Sequence, residues 1–285
     1  MKIVTDCAAD MPKEELEALD ITQAPLFIQF PEGEVNSADL TLDEFYDRLE
    51  AMRPTIPTTA LPSSGVFEAL YNQLAGVGEQ VFSIHISSGL SGTLNAARVG
   101  GEQAVAEVDT WDSMTLSGGQ RIQVLVAAWG NRAGWKLERI RERLEQIRTQ
   151  TEVIYTLETL EYLAHGGRIG RVQALMGSVL KIKPVIRVDH ADGKYSTVSK
   201  SRTIPQALET ITDHLHQLYG KTPVWVNILH GRFAQAADTL AASMKERLNV
   251  ASLEVSRISP VLGVHTGPGI VGAAVLPISL LEDLL

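Results

Sequence analysis

Hydroxyl side chains cluster in the stretch SIHISSGLSGTLNAARVGG, residues 83–101, among residues with small or no side chains. The hydroxyl residues at the polar hinge of this stretch are Ser87, Ser88, Ser91 and Thr93. A strand-like segment precedes them and a helix-like segment follows, so backbone N–H groups at a helix start would lie beside these hydroxyls. Such an arrangement stabilises an anion. The pattern predicts a bound oxygen anion, and the alternative is a capped helix without a ligand.

Nucleotide-binding and hydrolase motifs are absent or incomplete in this sequence. No G-x-x-x-x-G-K-[ST] occurs, which argues against a P-loop enzyme. GPGIVG at 267–272 matches G-x-G-x-x-G, but strand-like residues follow it where a dinucleotide site requires a helix. GLSGT at 89–93 lacks the last glycine of the hydrolase motif G-x-S-x-G. A serine nucleophile would therefore depend on a histidine and an acid brought together by the fold.

The histidines and the single cysteine give no metal-site pattern. None of the seven histidines forms H-E-x-x-H, and Cys7 alone makes neither a disulfide nor a thiolate zinc site. We expect no bound metal. His265 differs from the other histidines because it ends an apolar, strand-like segment and precedes TGPG, where glycine permits close backbone approach. It is a candidate ligand contact, and the alternative is a core histidine.

Basic residues gather in two loops of this otherwise acidic chain. HGGRIGR contains Arg168 and Arg171 at a predicted helix start, and SKSR contains Lys200 and Arg202 after a predicted hairpin. These side chains are either solvated surface charges or contacts for an anion such as a phosphate.

Composition excludes several classes of protein. With 25 basic and 34 acidic residues, the formal charge is −9, so no nucleic-acid-binding footprint is visible. No apolar run approaches the roughly 18–20 residues of a membrane span, and the N-terminal residues have no signal-peptide core. We therefore expect a cytoplasmic protein without stable membrane insertion.

Repeated strand-then-helix order predicts an α/β fold whose N-terminal sheet is mainly parallel, with helices on both faces. Residues 1–152 are predicted to form this domain and residues 153–285 a second α/β domain. ITQAPLFIQF is predicted as one strand and VLGVHTGPGIVGAAVLP as a strand–turn–strand. Thr41 and Glu44 predict a capping box, and Asp192-Gly193 a hairpin turn.

Six motifs follow one another along the chain: IVTDCAADMP, PTTALPS, ISSGLSGT, LEYLAHGGRIGRVQALMGSVLKIKPVI, SKSR and HTGPG. In content and order they resemble the DegV family of bacterial fatty-acid-binding proteins, which includes the lipid-carrier subunit of fatty acid kinase. This resemblance implies a two-domain α/β fold that buries one long-chain fatty acid, such as palmitate, between its domains. A separate ATP-dependent fatty acid kinase subunit would phosphorylate the carboxylate, while the carrier has no catalytic residue and no cofactor.

The same resemblance implies roles for individual residues. The carboxylate would be held by Thr58, Thr59, Ser87, Ser88, Gly89 and His265. Arg168 and Arg202 would border the mouth of the tunnel and face a phosphate or the kinase. Cys7 and Ala60 stand where the family usually has serine, which removes hydrogen-bonding groups but leaves the other motif residues unchanged.

Two other functions stay open at this point. An acyl-ester hydrolase would use Ser88 or Ser91 with His265, and loss of ester turnover in Ser88→Ala would identify it. A carrier of another apolar anion, such as an isoprenoid acid, would be distinguished by lipid extraction and mass spectrometry. The acidic composition is compatible with a monomer, which we expect.

Overall fold

The structure is a computed structural model that describes residues 1–175 and 182–284. Its described residues form three sheets, and the N-terminal sheet is wholly parallel with the strand order β2-β1-β6-β7. The strands are β1 (Lys2–Asp6), β2 (Ile21–Ala24), β6 (Gln80–His85) and β7 (Glu107–Asp112). Buried runs such as Val81 to His85 fit strands that are covered on both faces.

A small antiparallel sheet lies beside the parallel one, with the order β4-β3-β5. Its strands are β3 (Phe27–Phe30), β4 (Gly33–Asn36) and β5 (Thr58–Ala60). The prediction of one strand over ITQAPLFIQF was wrong, because the segment divides at Pro25 between β2 and β3, which belong to different sheets. Proline has no N–H to continue a ladder, which favours this break.

The third sheet is mixed and contains the strands of the C-terminal half, in the order β10-β9-β8-β13-β11-β12. They are β8 (Glu152–Leu157), β9 (Lys183–Val188), β10 (Tyr195–Ser201), β11 (Val224–His230), β12 (Val250–Arg257) and β13 (Ile270–Pro277). Only β11 and β12 are parallel neighbours here. The hairpin predicted at Asp192-Gly193 joins β9 to β10, and Gly193 has a φ of 63°.

Six helices accompany the N-terminal strands: α1 (Lys13–Leu19), α2 (Leu42–Ala51), α3 (Ser64–Leu74), α4 (Thr93–Gln103), α5 (Ser117–Arg132) and α6 (Leu137–Gln150). The predicted capping box is present at the start of α2. Helices α3 and α4 pack on one face of the parallel sheet, and α5 packs on the other. The predicted α/β class is therefore confirmed.

Helix α5 lies between the parallel and the mixed sheet, and nearly all of its residues are buried. Gly118 faces Asn227 and Ala274 of the mixed sheet, and Gly119 faces Val153. A Cβ at either glycine would lie 2.5–2.9 Å from these side chains, so close packing of helix on sheet requires glycine. The two halves of the chain therefore share one large core. The predicted domain boundary near residue 152 coincides with the start of β8 and stays a prediction.

The described residues of the C-terminal half form four helices: α7 (Glu161–His165), α8 (Ile204–Tyr219), α9 (Ala234–Arg247) and α10 (Pro260–Thr266). The strand–turn–strand predicted over VLGVHTGPGIVGAAVLP was wrong in its first part, which is α10. Proline at the first helical position favours this helix, and Gly267 ends it with a φ of 73°. Two backbone N–H groups at the helix start are hydrogen-bonded. The N–H of Ser259 donates to Asp10 at 2.8 Å, and the N–H of Val261 donates to the Ser37 hydroxyl.

Candidate functional site

A cavity of about 860 Å³, its mouth included, lies where the carboxyl ends of the parallel strands meet the mixed sheet and α10. Ala8 follows β1 and Ile86 follows β6, so the cavity occupies the usual position of a ligand site in an open α/β sheet. Most of the lining is aliphatic, including Leu26, Ile86, Leu116, Leu229, Val261 and Ile270. The cavity therefore suits an apolar ligand.

One end of this lining is polar and centres on His265, near the end of α10. The Nε2 atom of His265 lies 2.8 Å from the hydroxyl oxygen of Thr59, which belongs to β5. Successive residues of a strand face opposite sides, so Thr59 lines the cavity whereas Thr58 is exposed. Gly166 packs directly against the imidazole, because a Cβ there would lie 2.1 Å from Nδ1. These contacts hold the ring in one orientation.

His265 is neutral at physiological pH. Its side chain is buried, and burial lowers its pKa to about 4, with further lowering by electrostatic interaction with Arg168 and His165 nearby. A neutral imidazole has one N–H, and Nδ1 makes no hydrogen bond with the described residues. If Nε2 carries the hydrogen, it donates to Thr59, whose own hydroxyl hydrogen is then free to point into the cavity.

Arg168 is the charged residue of the polar end. It follows α7, and its guanidinium donates to the carbonyl oxygen of Gly166 at 2.8 Å. In the described ranges it forms no ion pair, so its charge is available to an anion. The side chain borders both the cavity and an outer groove that also contains Ser88, Arg171 and Lys194. Arg168 thus marks the mouth between the two.

The hydroxyl-rich loop that precedes α4 contributes one of its serines to the cavity. Ser91 lines it, and its hydroxyl shares a hydrogen bond of 2.8 Å with Thr93. Ser87 is buried and donates to the carbonyl of Gly193 at 2.9 Å, which ties the loop to the β9–β10 hairpin. Ser88 is exposed and donates to Asp112 at 2.5 Å. Through the contact of Ser87 with Gly193, the loop therefore connects the two halves of the chain.

Of the predicted site residues, the fold brings Thr59, His265 and Arg168 together at the cavity. The others do not line it: Thr58, Ser87, Ser88, Gly89 and Arg202. Ser88 and Gly89 border the outer groove, and Arg202 is exposed between β10 and α8, where its N–H donates to Gln206. Roles of these five in carboxylate or phosphate binding stay predictions. His265 was predicted at the end of a strand, but it lies in helix α10. This helix begins at Pro260, eight residues before Pro268.

Three further residues line the cavity although no sequence pattern marks them: Tyr155, Tyr195 and Ser117. Tyr155 lies in the fully buried strand EVIYTL, which has no alternation to reveal the face of each residue. Ser117 opens α5 with a φ of 54° and donates to the buried carboxyl of Asp10. Burial raises the pKa of that carboxyl to about 6.

The described residues contain no hydrogen-bonded serine–histidine pair with access to the cavity. His265 binds Thr59, and neither Ser88 nor Ser91 is bonded to it. A serine–histidine–aspartate chain does occur, with Ser83 2.7 Å from His85 and His85 2.9 Å from Asp6. All three are fully buried, so this chain supports the parallel sheet. Residues 1–175 and 182–284 also contain no cluster of metal ligands and no helix long and apolar enough to cross a membrane.

Comparison with known proteins gives one consistent match along the chain. The family model described as "Uncharacterised protein, DegV family" matches residues 1–277. A DegV domain-containing protein from Deinococcus radiodurans is 33% identical over 276 residues, which are 96% of this chain and 95% of that protein.

Two solved structures are similar in both sequence and fold. A DegV family protein from Thermus thermophilus, described in terms of fatty acid binding, has a TM-score of 0.90 and 27% identity and covers 97% of this chain and 99% of its own. DegV from Bacillus subtilis, described as a fatty acid binding protein, has a TM-score of 0.86 and 29% identity and covers 96% of this chain and 98% of its own.

Proposed function

The chain belongs to the DegV family, and from this premise we propose that it binds one long-chain fatty acid in the cavity. The bound carboxylate is presented at the mouth to a separate ATP-dependent kinase subunit, which forms the acyl phosphate. The chain itself acts as a non-catalytic carrier without a cofactor. A monomeric state and a cytoplasmic location belong to the same proposal.

The aliphatic lining supplies the affinity for the acyl chain. Burial of one methylene contributes about 0.8 kcal/mol, so about 14 methylenes contribute on the order of 11 kcal/mol before the costs of ordering. A carboxylate hydrogen bond contributes far less, about 1.5–3 kcal/mol. The polar end of the cavity therefore sets the orientation of the ligand more than its affinity.

The Thr59–His265 pair is the observation that carries this proposal, since it places a hydroxyl donor at the polar end of an apolar cavity. With Nε2–H of His265 donating to Thr59, the threonine hydroxyl is oriented to donate to a carboxylate. Ser91 offers a second hydroxyl, and the unpaired charge of Arg168 favours an anion there. We propose that the hydroxyl donors hold the carboxylate without a bidentate clamp by Arg168, which leaves the carboxylate oxygens nucleophilic toward ATP.

The outer groove is the proposed face for the phosphate and the kinase. Arg168, Arg171 and Lys194 border it and give it positive charge, which an incoming phosphoryl group requires. Arg171 is partly neutralised by Asp192 at 2.8 Å. Arg202, which was predicted to face a phosphate or the kinase, lies outside this groove.

Native mass spectrometry, followed by lipid extraction under denaturing conditions, tests the proposal. We expect one long-chain fatty acid per wild-type chain, and reduced occupancy in Thr59→Val. The neighbouring Thr58→Val is the matched control, because Thr58 lies on the opposite face of β5 and is exposed. A wild-type protein that is empty and takes up no added palmitate would refute the function. Equal losses in both variants would refute the proposed head-group position.

A further inference from the structure

Tyr155 places a polar group inside the cavity that the proposed head-group site does not use. It lies in β8 opposite Gly272 of β13, and both residues line the cavity. A Cβ at Gly272 would lie 2.3 Å from the Tyr155 Cβ, so the glycine makes room for this side chain. Tyr155 is 3% exposed, and its ring meets that of Tyr195 edge-on at 6.0 Å.

The hydroxyl of Tyr155 is buried and makes no hydrogen bond of normal geometry with the described residues. Other buried tyrosine hydroxyls are satisfied by donation: Tyr71 to Ser83 at 2.9 Å, and Tyr46 to the carbonyl of Ile258 at 3.3 Å. Buried polar groups of proteins nearly always have a partner. The hydroxyl of Tyr195 interacts with that of Tyr155 only outside normal hydrogen-bond geometry, so an oxygen of a ligand in the cavity that Tyr155 lines is the better partner.

The surroundings of this hydroxyl define the chemistry of that partner. Burial raises the pKa of Tyr155 well above its ordinary value, so the phenol is neutral and both donates and accepts. The hydroxyl of Tyr195 and the carboxyl of Asp10, to which Ser117 donates, are the polar groups that act on Tyr155, and most of the cavity lining is aliphatic. A neutral phenol in such a setting matches a neutral oxygen, as in a hydroxyl or oxo group, rather than a charge.

The position of Tyr195 indicates which part of the ligand is concerned. Tyr195 and Arg168 border both the cavity and the outer groove, so they lie at the mouth. Tyr155 contacts Tyr195 and is therefore closer to the carboxylate end of the site than to the far end of an acyl chain. A substituent on the carbons next to the carboxyl group would lie nearest to it.

We propose that the Tyr155 hydroxyl binds an oxygen substituent near the carboxyl end of the acyl chain, so that 2- or 3-hydroxy and oxo fatty acids are preferred ligands. This inference rests on the proposed function and adds a substrate class to it. The tyrosine is a specificity residue, because it leaves the carboxylate contacts at Thr59 and His265 unchanged.

Isothermal titration of delipidated protein with a matched set of C16 acids tests the proposal. The ligands are palmitate and its 2-hydroxy, 3-hydroxy and 16-hydroxy derivatives. We expect the 2- or the 3-hydroxy acid to bind about three- to tenfold more tightly than palmitate, as one hydrogen bond allows. The 16-hydroxy acid should gain nothing. Tyr155→Phe should abolish the preference and keep palmitate affinity, whereas Tyr71→Phe, remote from the cavity, should retain the preference.

Each other outcome refutes the inference. Equal binding of all four acids by the wild type, or a preference that survives in Tyr155→Phe, removes the assigned role. An equal loss for every ligand in Tyr155→Phe would show that the tyrosine contacts the carboxylate or a water molecule. If that variant does not fold, wild-type protein can be loaded with equal amounts of palmitate and 3-hydroxypalmitate. Native mass spectrometry then measures the relative occupancy of the two acids and shows whether the hydroxylated acid is preferred. Binding of palmitate without discrimination refutes only this inference, whereas no binding refutes the proposed function.

Discussion

Gly166→Ala is the most direct perturbation of the polar end of the cavity. Gly166 has a helical φ of −73°, which alanine adopts without strain, so the effect of the change comes from the added methyl group alone. That Cβ would lie 2.1 Å from Nδ1 of His265 and 2.7 Å from Cε1. An ordinary contact begins near 3.4 Å, so the imidazole must move by about 1.3 Å.

The expected cost follows from that displacement. The bond of 2.8 Å between His265 and Thr59 does not survive such a shift, and its loss contributes about 0.5–1.5 kcal/mol. Overpacking of a buried site adds about 1–3 kcal/mol. We therefore expect the free energy of unfolding of the delipidated protein to fall by about 2–4 kcal/mol, measured by urea denaturation. Fatty acid affinity should fall as well, since Thr59 loses its orienting partner.

A double-mutant cycle with His265→Ala tests the reasoning. If the clash with the ring causes the loss, Gly166→Ala should cost less than about 0.5 kcal/mol in the His265→Ala background. The same cost in both backgrounds would refute this explanation, as would a stable Gly166→Ala protein. Gly65→Ala is the control substitution, because that helical glycine has its nearest neighbour 3.8 Å away, and it should stabilise α3 by about 0.5–1 kcal/mol.

Two further predictions concern buried groups around the cavity. The pKa of His265 is about 4 in the folded protein and 6.5 when unfolded, so its contribution to stability is lost as the pH falls from 6.5 to 4. Asp10, with a pKa of about 6 against 3.8 unfolded, acts oppositely, because its contribution is lost as the pH rises from 3.8 to 6. Asp10→Asn should therefore steepen the loss of stability on acidification from pH 6.5 to 4.5, seen as a larger fall in the urea midpoint, and an unchanged slope would contradict this pairing. Gly193→Ala places a Cβ 1.9 Å from the Ser87 hydroxyl at a positive φ and should cost about 2–4 kcal/mol by thermal unfolding. About half of that cost should disappear in Ser87→Ala, because the strain of the positive φ remains there, and full persistence would show that backbone strain alone is responsible.

The sequence by itself determined the family, the α/β class and three of the residues at the cavity. Thr59, Arg168 and His265 belong to the motifs PTT, GGRIG and HTGPG, whose residue types and order are visible without a structure. Local signals such as the capping box of α2 and the hairpin turn at Gly193 were also predictable, because they depend on residues close together in the chain.

Only the tertiary structure decided which of two neighbouring side chains faces the cavity. Thr58 and Thr59 are chemically alike, and the register of β5 against β3, with Thr59 opposite Ile28, directs one outward and the other inward. In the hydroxyl-rich loop, contacts with Gly193 and Asp112 take up Ser87 and Ser88 and leave Ser91 at the cavity.

The unpartnered hydroxyl of Tyr155 was likewise invisible in the sequence. A strand that is buried on both faces has no polar alternation, so its pattern does not tell a cavity-facing tyrosine from a core one. Whether the hydroxyl finds a partner depends on residues more than a hundred positions away, such as Gly272, that the mixed sheet brings beside it. The local sequence pattern indicates which secondary structure a segment prefers, whereas the contacts between segments decide which groups surround each side chain.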